Sequence, residues 1–142
     1  MNIKARLGAL GTTAALMAGV MVAGASPASA VVVHDNFSFG GLSAPGLKTW
    51  SISVQNVTKG KSAGNGMWEG NGDRLTAYDG LADGYAIVAY LSTGRTASTV
   101  GQSSPVTVTK TGDLRENQTY KLQVCVVKDA FKRCSNEVNV KS

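Results

Sequence analysis

Residues 120–140 read YKLQVCVVKDAFKRCSNEVNV and carry the clearest structural pattern of the chain. Two runs of alternating apolar and polar residues, 120–127 and 134–140, flank a charged segment. A period of two residues is typical of strands with one buried face, because successive side chains of a strand point to opposite faces. The stretch therefore predicts a pair of strands, and four side chains of the first strand are expected in the core: Tyr120, Leu122, Val124 and Val126.

The two cysteines of the chain, Cys125 and Cys134, lie on the two arms of this strand pair, nine positions apart. In an exported chain an even cysteine pair predicts a disulfide, and closing so short a loop should contribute roughly 2–3 kcal/mol. No C-x-x-C motif is present, so a redox-active pair is not favoured. The pairing predicts a hairpin in which Lys128 lies opposite Phe131.

The disulfide conflicts with the alternation of the second arm. If Cys125 faces away from the core, Cys134 does too, and a regular strand would then turn Val138 and Val140 away from the core. A shift of one residue reverses the faces of a strand. The sequence therefore predicts a bulge near residues 135–136 or, failing that, a disulfide that joins strand ends.

Alternation also marks the rest of the chain, and no convincing amphipathic helix is present. The unbroken apolar run from Tyr85 to Leu91 predicts a central strand buried on both faces, whereas residues 106–109 are expected near a sheet edge. About seven strands separated by Gly, Pro and Asn turns predict an all-β, immunoglobulin-like sandwich of antiparallel strands. The other expected strands cover residues 31–39, 50–55 and 75–78.

Glycine-rich segments separate the expected strands. Gly40-Gly41 is expected to turn the chain after the first strand. Residues 60–72, GKSAGNGMWEGNG, are thick with Gly and Asn and are expected to form a loop. Asp79-Gly80 and Asp83-Gly84 are expected turns, because Asp-Gly supplies the positive φ that a tight turn needs.

Residues 60–72 also hold the best candidate for a binding site. Trp68 lies between glycines and, facing outward, can stack on a sugar ring or fill a pocket of a partner, while Asn65 and Asn71 add hydrogen bonds. Large aromatic side chains are enriched among binding hot spots. The alternative is that Trp68 folds back and caps the end of the sandwich. A phosphate-binding loop is not predicted, since no Lys-Ser/Thr follows the glycines.

Residues 84–141 resemble the fibronectin type III family. GYAIVAY at 84–90 is similar to the central strand of that family, and SNEVNV at 135–140 is similar to its last strand. PVTVT at 105–109 stands where the family has the strand that precedes the one carrying the Tyr of its pattern, here Tyr120. Leu114 precedes Tyr120 by six positions, as in the tyrosine corner, where the Tyr hydroxyl bonds the backbone upstream. The resemblance implies a fibronectin type III-like sandwich, from whose pattern residues 31–83 depart.

The first thirty residues predict an export signal. A basic start precedes an uncharged apolar run, and Ala28 and Ala30 supply the small-residue pattern that a signal peptidase accepts. The alternative is a retained membrane anchor, because the run is long enough to cross a thin bilayer, but no basic stop-transfer cluster follows it. We therefore expect residues 1–30 to be cleaved and residues 31–142 to form a single secreted, extracellular β-sandwich domain.

Charge argues against nucleic acid as a partner. Removing Lys4 and Arg6 with the leader lowers the formal net charge from +5 to +3, and the remaining charges are scattered, unlike those of a nucleic-acid-binding face. The nearest approach to a basic patch lies close to the carboxyl end, where a solvated hairpin tip is favoured over a contact with an anionic polymer. That patch consists of Lys128, Lys132 and Arg133.

Few residues are available for catalysis or metal binding. His34 is the single histidine; its parity favours a solvated strand position, and a Ser–His–Asp triad is not indicated. Asp79 and Asp83, with Asp73 and Glu69 upstream, offer oxygen ligands for Ca²⁺, but turn chemistry accounts for the two Asp-Gly pairs. We expect no catalytic residue, no metal and no cofactor.

The leading functional hypothesis is a secreted, non-catalytic extracellular binding or adhesion module. Its partner is expected to be an extracellular protein or polysaccharide, and neither nucleic acid nor, after cleavage, a membrane. The alternative is a secreted inhibitor or antagonist of a protease or other extracellular enzyme, which would present residues 60–72 or the hairpin tip at 128–133. A small hydrolase is a third hypothesis. The sequence predicts neither the ligand nor the oligomeric state.

Overall fold

The described part of the chain, residues 31–44 and 48–142 of the computed structural model, consists of strands joined by turns and loops. The all-β class predicted from alternation is confirmed, with ten strands rather than about seven. In chain order they are β1 (Phe37–Ala44), β2 (Thr49–Asn56), β3 (Lys61–Glu69), β4 (Arg74–Asp79), β5 (Ala86–Leu91), β6 (Thr96–Ser98), β7 (Val106–Lys110), β8 (Thr119–Lys128), β9 (Phe131–Cys134) and β10 (Val138–Lys141).

The strands form two antiparallel sheets. The first sheet has the order β1-β2-β3-β4-β7, and the second has the order β10-β8-β5-β6, with β9 also paired to β8. Strand β7 therefore lies at a sheet edge, as the sequence predicts for residues 106–109. Strand β1 forms the opposite edge of the first sheet, next to the edge of the second sheet formed by β9 and β10.

The core lies between the inner faces of the two sheets. Burying one large aliphatic or aromatic side chain stabilises a fold by about 1.5–3 kcal/mol, and both sheets supply such residues at alternate positions. The fully or almost fully buried ones include Phe37, Ile52, Val54, Trp68, Leu75, Ile87, Leu91, Leu122, Val124, Val126 and Val140.

Strand β5 is buried on both faces, as its apolar run predicts. Ile87 on the inner face is 1% exposed and Val88 on the outer face is 3% exposed. Strand β5 pairs with β8 along one edge and with β6 along the other. Thr99, just after β6, extends this pairing, because its Oγ1 accepts a hydrogen bond from the Ile87 amide at 2.9 Å.

The hairpin predicted around the cysteines is confirmed. Cys125 and Cys134 form a disulfide, and they are directly opposite each other in the β8–β9 pair. Lys128 lies opposite Phe131, as the cysteine pairing predicts. Asp129 turns the chain between the two strands with a positive φ of 50°.

The irregularity predicted after Cys134 is also present. Strand β9 ends at Cys134, and β10 resumes with Val138 opposite Leu122, one position out of step with the cysteine pair. In the gap, the Ser135 Oγ accepts a hydrogen bond from the Val124 amide at 3.1 Å. The shift returns Val138 to the inner side and leaves the disulfide on the outer face of the sheet.

The disulfide is covered although it lies on an outer face. Cys125 is fully buried. Lys132, on β9, places its Nζ 4.7 Å from the ring centroid of Tyr90 on β5, so its side chain reaches across the intervening strand β8. The contact lies on the same outer face as Cys125 and Val88, which are opposite each other in the β5–β8 pair.

Two predictions for the first sheet are wrong, and the first concerns the start of the domain. The strand expected from Val31 instead begins at Phe37, and it continues through Gly40-Gly41, where a turn was expected. These glycines are paired with Ser53 and Ile52 of β2. The hydrogen bonds of the neighbouring strand hold the glycines in extended form, against the local preference for a turn.

The second correction concerns residues 60–72, which were expected to form a loop. They contain β3, which pairs with β2 on one side and β4 on the other. Gly66 shows why a small residue is needed there, because a Cβ on it would lie 2.3 Å from the Val124 Cγ2 of the facing sheet. The glycine thus permits close sheet packing and does not mark a loop.

Residues 32–142 form one compact unit. Across the described ranges, we find no helix that is both long and apolar enough to cross a membrane. The predicted cleavage pattern at Ala28 and Ala30 lies outside the described residues.

Candidate functional site

The tryptophan expected on an exposed loop lies inside the domain. Trp68 belongs to β3, its side chain is fully buried, and its Nε1 donates a hydrogen bond to the Lys141 carbonyl oxygen at 2.9 Å. Its parity on the strand directs it inward, opposite Leu75 of β4. Of the two alternatives for Trp68, the outward position that stacks on a ligand is therefore wrong, and the ring packs against the domain instead.

The two asparagines predicted to accompany Trp68 do not share a site with it. Asn65 lies on the outer side of β3, where its Nδ2 donates to the Ser51 Oγ at 3.5 Å. Asn71 is exposed in the turn between β3 and β4. The structure therefore separates the three residues, because inward and outward positions alternate along a strand.

The outer side of the first sheet presents a broad uncharged surface, which we call the neutral face. The strand pairing arranges its side chains in two rows that cross all five strands. At about 4.8 Å between strands, each row is roughly 19 Å long. The rows are Leu42–Ser51–Met67–Thr76–Thr109 and Gly40–Ser53–Asn65–Tyr78–Thr107.

Tyr78 is the large aromatic residue of the neutral face and is 39% exposed. Its ring lies against the backbone of Gly80, since a Cβ on Gly80 would come within 2.7 Å of the Tyr78 oxygen. Gly80 thus leaves the space that the ring occupies. The ring stands between Asn65 and Thr107 of the two neighbouring strands, so polar groups flank it on both sides.

Hydrogen bonds between strands order several polar groups of the neutral face. The Thr76 and Thr109 hydroxyls are 3.1 Å apart, and the Ser53 Oγ donates to the Gly40 carbonyl oxygen at 3.1 Å. Hydroxyl and amide groups offer both donors and acceptors to a ligand. Because a rigid sheet holds them, they would lose little conformational freedom on binding.

One end of the neutral face is bordered by a paired charge. The Arg74 Nε donates to the Glu69 Oε2 at 2.6 Å, and this hydrogen bond raises the pKa of the Arg74 guanidinium. The two opposite charges offset each other at the border. The ten positions of the two rows themselves contain no ionisable group other than the Tyr78 phenol.

A second candidate is a cleft of about 620 Å³ at the end of the domain where β5 begins. Lys128 lies at its wall, with its Nζ 4.8 Å from the Tyr85 ring centroid. Ser104, also in the wall, donates to the Oδ2 of buried Asp79 at 2.7 Å. Burial raises the pKa of Asp79, and the bond from Ser104 opposes that rise.

The histidine is half-buried and not at a solvated strand position, so that prediction is wrong. The His34 ring stacks on Phe131 with the centroids 4.4 Å apart, and its Nδ1 lies 3.5 Å from the Tyr85 hydroxyl. The cause is the late start of β1, which leaves His34 beside the tip of the β8–β9 hairpin. Ser104 donates its hydroxyl hydrogen bond to Asp79 and not to His34.

Asp79 and Asp83 cap the backbone with their side chains. The positive φ that the Asp-Gly pattern predicts is present at Gly84 (82°) but not at Gly80, so that prediction is confirmed for the second pair alone. The Asp79 Oδ1 accepts from the Leu81 amide at 3.3 Å, and the Asp83 Oδ1 accepts from the Tyr85 amide at 3.1 Å. These bonds from side chain to backbone stabilise turns. Among the residues that the structure describes, no three His, Cys, Asp or Glu side chains group in a way that could hold a metal ion.

Tyr78 was not predicted to be a surface residue of a binding site. A signal was available, because Arg74, Thr76 and Tyr78 share one parity opposite the apolar Leu75 and Ala77. The rows across the sheet could not be predicted from the sequence, since they depend on how β3 pairs with its neighbours.

Comparisons of the chain with protein-family models, curated proteins and solved structures give no match.

Proposed function

We propose that this protein is a secreted, non-catalytic binding module that attaches to a neutral polysaccharide through the neutral face. The observation that carries the proposal is the pair of uncharged rows across the first sheet, with Tyr78 exposed between amide and hydroxyl groups. A polysaccharide chain offers the matching chemistry, because its hydroxyls both donate and accept and its ring C–H faces are apolar.

The geometry of the face suits an extended polymer better than a small molecule. The side chains lie on a sheet and not in a concave pocket, whereas small-molecule sites are concave and largely enclose their ligands. A row of roughly 19 Å offers contacts to several sugar units in succession. The Tyr78 ring supplies a stacking platform of the kind that Trp68 was expected to supply.

The proposed compartment rests on the leader and on the cysteines. The small-residue pattern at Ala28 and Ala30 predicts export, and the Cys125–Cys134 disulfide suits an oxidising environment. Extracellular polysaccharides are then within reach of the released domain.

We also propose that the sandwich is of the fibronectin type III kind. The Tyr120 hydroxyl donates to the Arg115 carbonyl oxygen at 3.4 Å, the upstream bond that the resemblance implies. Strands β3 to β8, together with the interrupted β9–β10 strand, give the seven strands of an immunoglobulin-like sandwich. Strands β1 and β2 would then be an addition that widens the first sheet and with it the neutral face.

The alternative of a secreted inhibitor has less support. Residues 60–72, one of its two proposed loops, contain strand β3. The basic groups of the other, the hairpin tip, are engaged within the domain. Lys128 and Lys132 contact Tyr85 and Tyr90, and Arg133 donates to the Asn36 Oδ1 at 3.3 Å.

The test is retention of the purified protein by insoluble cellulose, chitin and cell-wall glycan. Tyr78→Ala should weaken retention roughly ten- to thirtyfold, as expected for removal of a binding hot spot. Tyr78→Phe should retain most of the binding, because it keeps the ring. Gly80→Ala should weaken binding by displacing the ring while leaving Tyr78 in place.

The matched control removes an aromatic ring from the other sheet. Tyr90→Ala deletes the ring beneath Lys132 on the opposite side of the domain and should leave retention unchanged. Thermal unfolding of each variant verifies that it is folded. The proposal is wrong if none of the glycans retains the native protein, or if Tyr78→Ala and Tyr90→Ala weaken retention equally.

A further inference from the structure

A groove with an apolar floor runs along the side of the domain where β1 and β2 face β9 and β10. Two adjoining cavities of about 420 and 300 Å³ form it. Polar groups are added to the larger cavity by Ser38, Arg133, Ser135 and Asn136. Three residues line both cavities: Gly41, Ile52 and Val138. Phe39 and Trp50, both half-buried, extend the apolar lining to either side.

Gly41 leaves part of the groove empty. It shares the inward parity of Phe39, but a Cβ placed on it would meet no atom within 4 Å. The first sheet here extends beyond the last strand of the second sheet, so inward positions of β1 face an opening. An apolar side chain from outside would find a lining of aromatic and aliphatic atoms there.

The free edge of β1 is unprotected against pairing with another strand. Strand β1 pairs with β2 and ends the first sheet, and its sequence, FSFGGLSA, contains no charged residue and no proline. Natural edge strands usually carry such residues, or bulges, which prevent the addition of a further strand. The opposite wall is less suitable, because it is interrupted between Cys134 and Val138 and carries Arg133.

Just before β1 the chain presents an exposed apolar segment. Val31, Val32 and Val33 are 86%, 73% and 86% exposed. Valine favours the extended conformation. In a strand, Val31 and Val33 would point to the same side, about 7 Å apart. That spacing lets one segment place two side chains side by side in a groove made of two adjoining cavities.

The residues that follow the valine segment are held by contacts with the domain. His34 stacks on Phe131, the Asp35 amide donates to the Tyr85 hydroxyl at 2.8 Å, and the Val57 amide donates to the Asn36 carbonyl oxygen at 2.8 Å. These contacts hold residues 34–36, while the three valines stay exposed and do not line the groove of their own domain.

We propose that residues 31–33 of one copy add as a strand to the free edge of β1 in a second copy and insert Val31 and Val33 into its groove. Backbone hydrogen bonds to β1 supply affinity, and the two valines supply register, as in other cases of strand addition. The contact is head-to-tail, so each added copy presents a new groove and a new valine segment.

The test measures self-association by sedimentation velocity, with the chain expressed in full in a secreting bacterial host and purified from the culture. Val31→Ser with Val33→Ser should weaken association by at least about tenfold, because two buried valines are lost. Val32→Ser is the matched control, since its side chain points the other way, and it should change association less than about threefold. Gly41→Val should fill the groove and also abolish association, while the domain keeps its stability in urea unfolding.

Mixing variants separates the proposal from simple misfolding. The Val31→Ser/Val33→Ser variant keeps its groove, and the Gly41→Val variant keeps its valines, so each alone should be monomeric and an equal mixture should form a heterodimer. Three outcomes would overturn the proposal: a native protein that stays monomeric up to about millimolar concentration, at the weak end of specific affinities, association that survives loss of both valines, or a mixture that stays monomeric.

Discussion

The two sheets fill the core in different ways. The second sheet lines it with aliphatic side chains at regular alternation, such as Leu122, Val124 and Val126 on β8. The first sheet lines it on β3 with Ala63, Gly66 and a single large residue, Trp68. At Gly66, which has no side chain, the methyl groups of Val124 occupy the space.

The contrast shows two routes to the same close packing. On β8 the strand is specified by its own hydrophobic pattern, which is visible in the sequence. On β3 the strand is specified by the shape of the surface that faces it, which is visible only after the sheets are packed. Protein interiors tolerate few voids, so a glycine on one sheet requires a larger side chain on the facing sheet.

The comparison predicts that Trp68 matters to the first sheet as much as Leu122 matters to the second. Trp68→Ala should lower the free energy of unfolding by about 3–5 kcal/mol, and Leu122→Ala by about 2–5 kcal/mol. The loss at Trp68 includes its hydrogen bond to the Lys141 carbonyl oxygen. Urea unfolding of both variants checks this, and a loss below about 1 kcal/mol at Trp68 would contradict the fully buried position.

The disulfide should stabilise the second sheet without shaping the first. Replacing Cys125 and Cys134 by Ala should lower the free energy of unfolding by roughly 2–3 kcal/mol. Both tryptophans, Trp50 and Trp68, lie on the first sheet, so their fluorescence in the folded variant should match that of the native chain. An altered emission maximum before unfolding would mean that the hairpin also holds the first sheet in place.

A double-mutant cycle tests directly whether a large side chain of the second sheet fills the space left by a glycine of the first. Gly66→Ala should destabilise the domain by about 1–3 kcal/mol, because its Cβ would overlap the Val124 side chain. Val124→Ala removes the overlapping methyl groups. The double variant should therefore be more stable than the sum of the two single losses predicts, whereas strict additivity would show that Gly66 is not limited by Val124.

This difference also explains which parts of the fold the sequence predicts. Patterns of residues close together in the sequence predict four features: the hairpin, the disulfide, the irregularity after Cys134 and the buried strand β5. Strand β3 and the continuation of β1 through Gly40-Gly41 are not predicted by such patterns, because glycine carries no side chain whose periodicity can be read. Their strand conformation depends on pairing partners such as β2 and β4.

The candidate site was less predictable than the fold for the same reason. The position of Trp68, outward or packed, stayed open because its segment was expected to be a loop, in which no alternation fixes the direction of a side chain. Tyr78 belongs to a strand whose alternation is readable, but its surroundings on the neutral face come from β3 and β7. A surface assembled from several strands requires their register.

The smallest expected effect concerns a carboxyl group of the first sheet. Burial raises the pKa of Asp79 above 3.8, so the folded state binds its proton more tightly than the unfolded state. The stability that this group contributes is therefore fully present at acid pH and is lost as the pH rises through the raised pKa. Urea unfolding from pH 3 to 7 should show the native chain losing stability relative to Asp79→Asn, and a gain would contradict the assignment.

Because the two rows of the neutral face carry no charge, binding through this face should depend little on ionic strength. Without the predicted leader the domain carries a formal net charge of +3, so nonspecific attraction to anionic surfaces is expected at low salt. At about 1 M salt such attraction is screened beyond roughly 3 Å. Attachment through the neutral face should persist under those conditions and be released by soluble sugar, so a salt wash separates specific attachment from nonspecific adhesion.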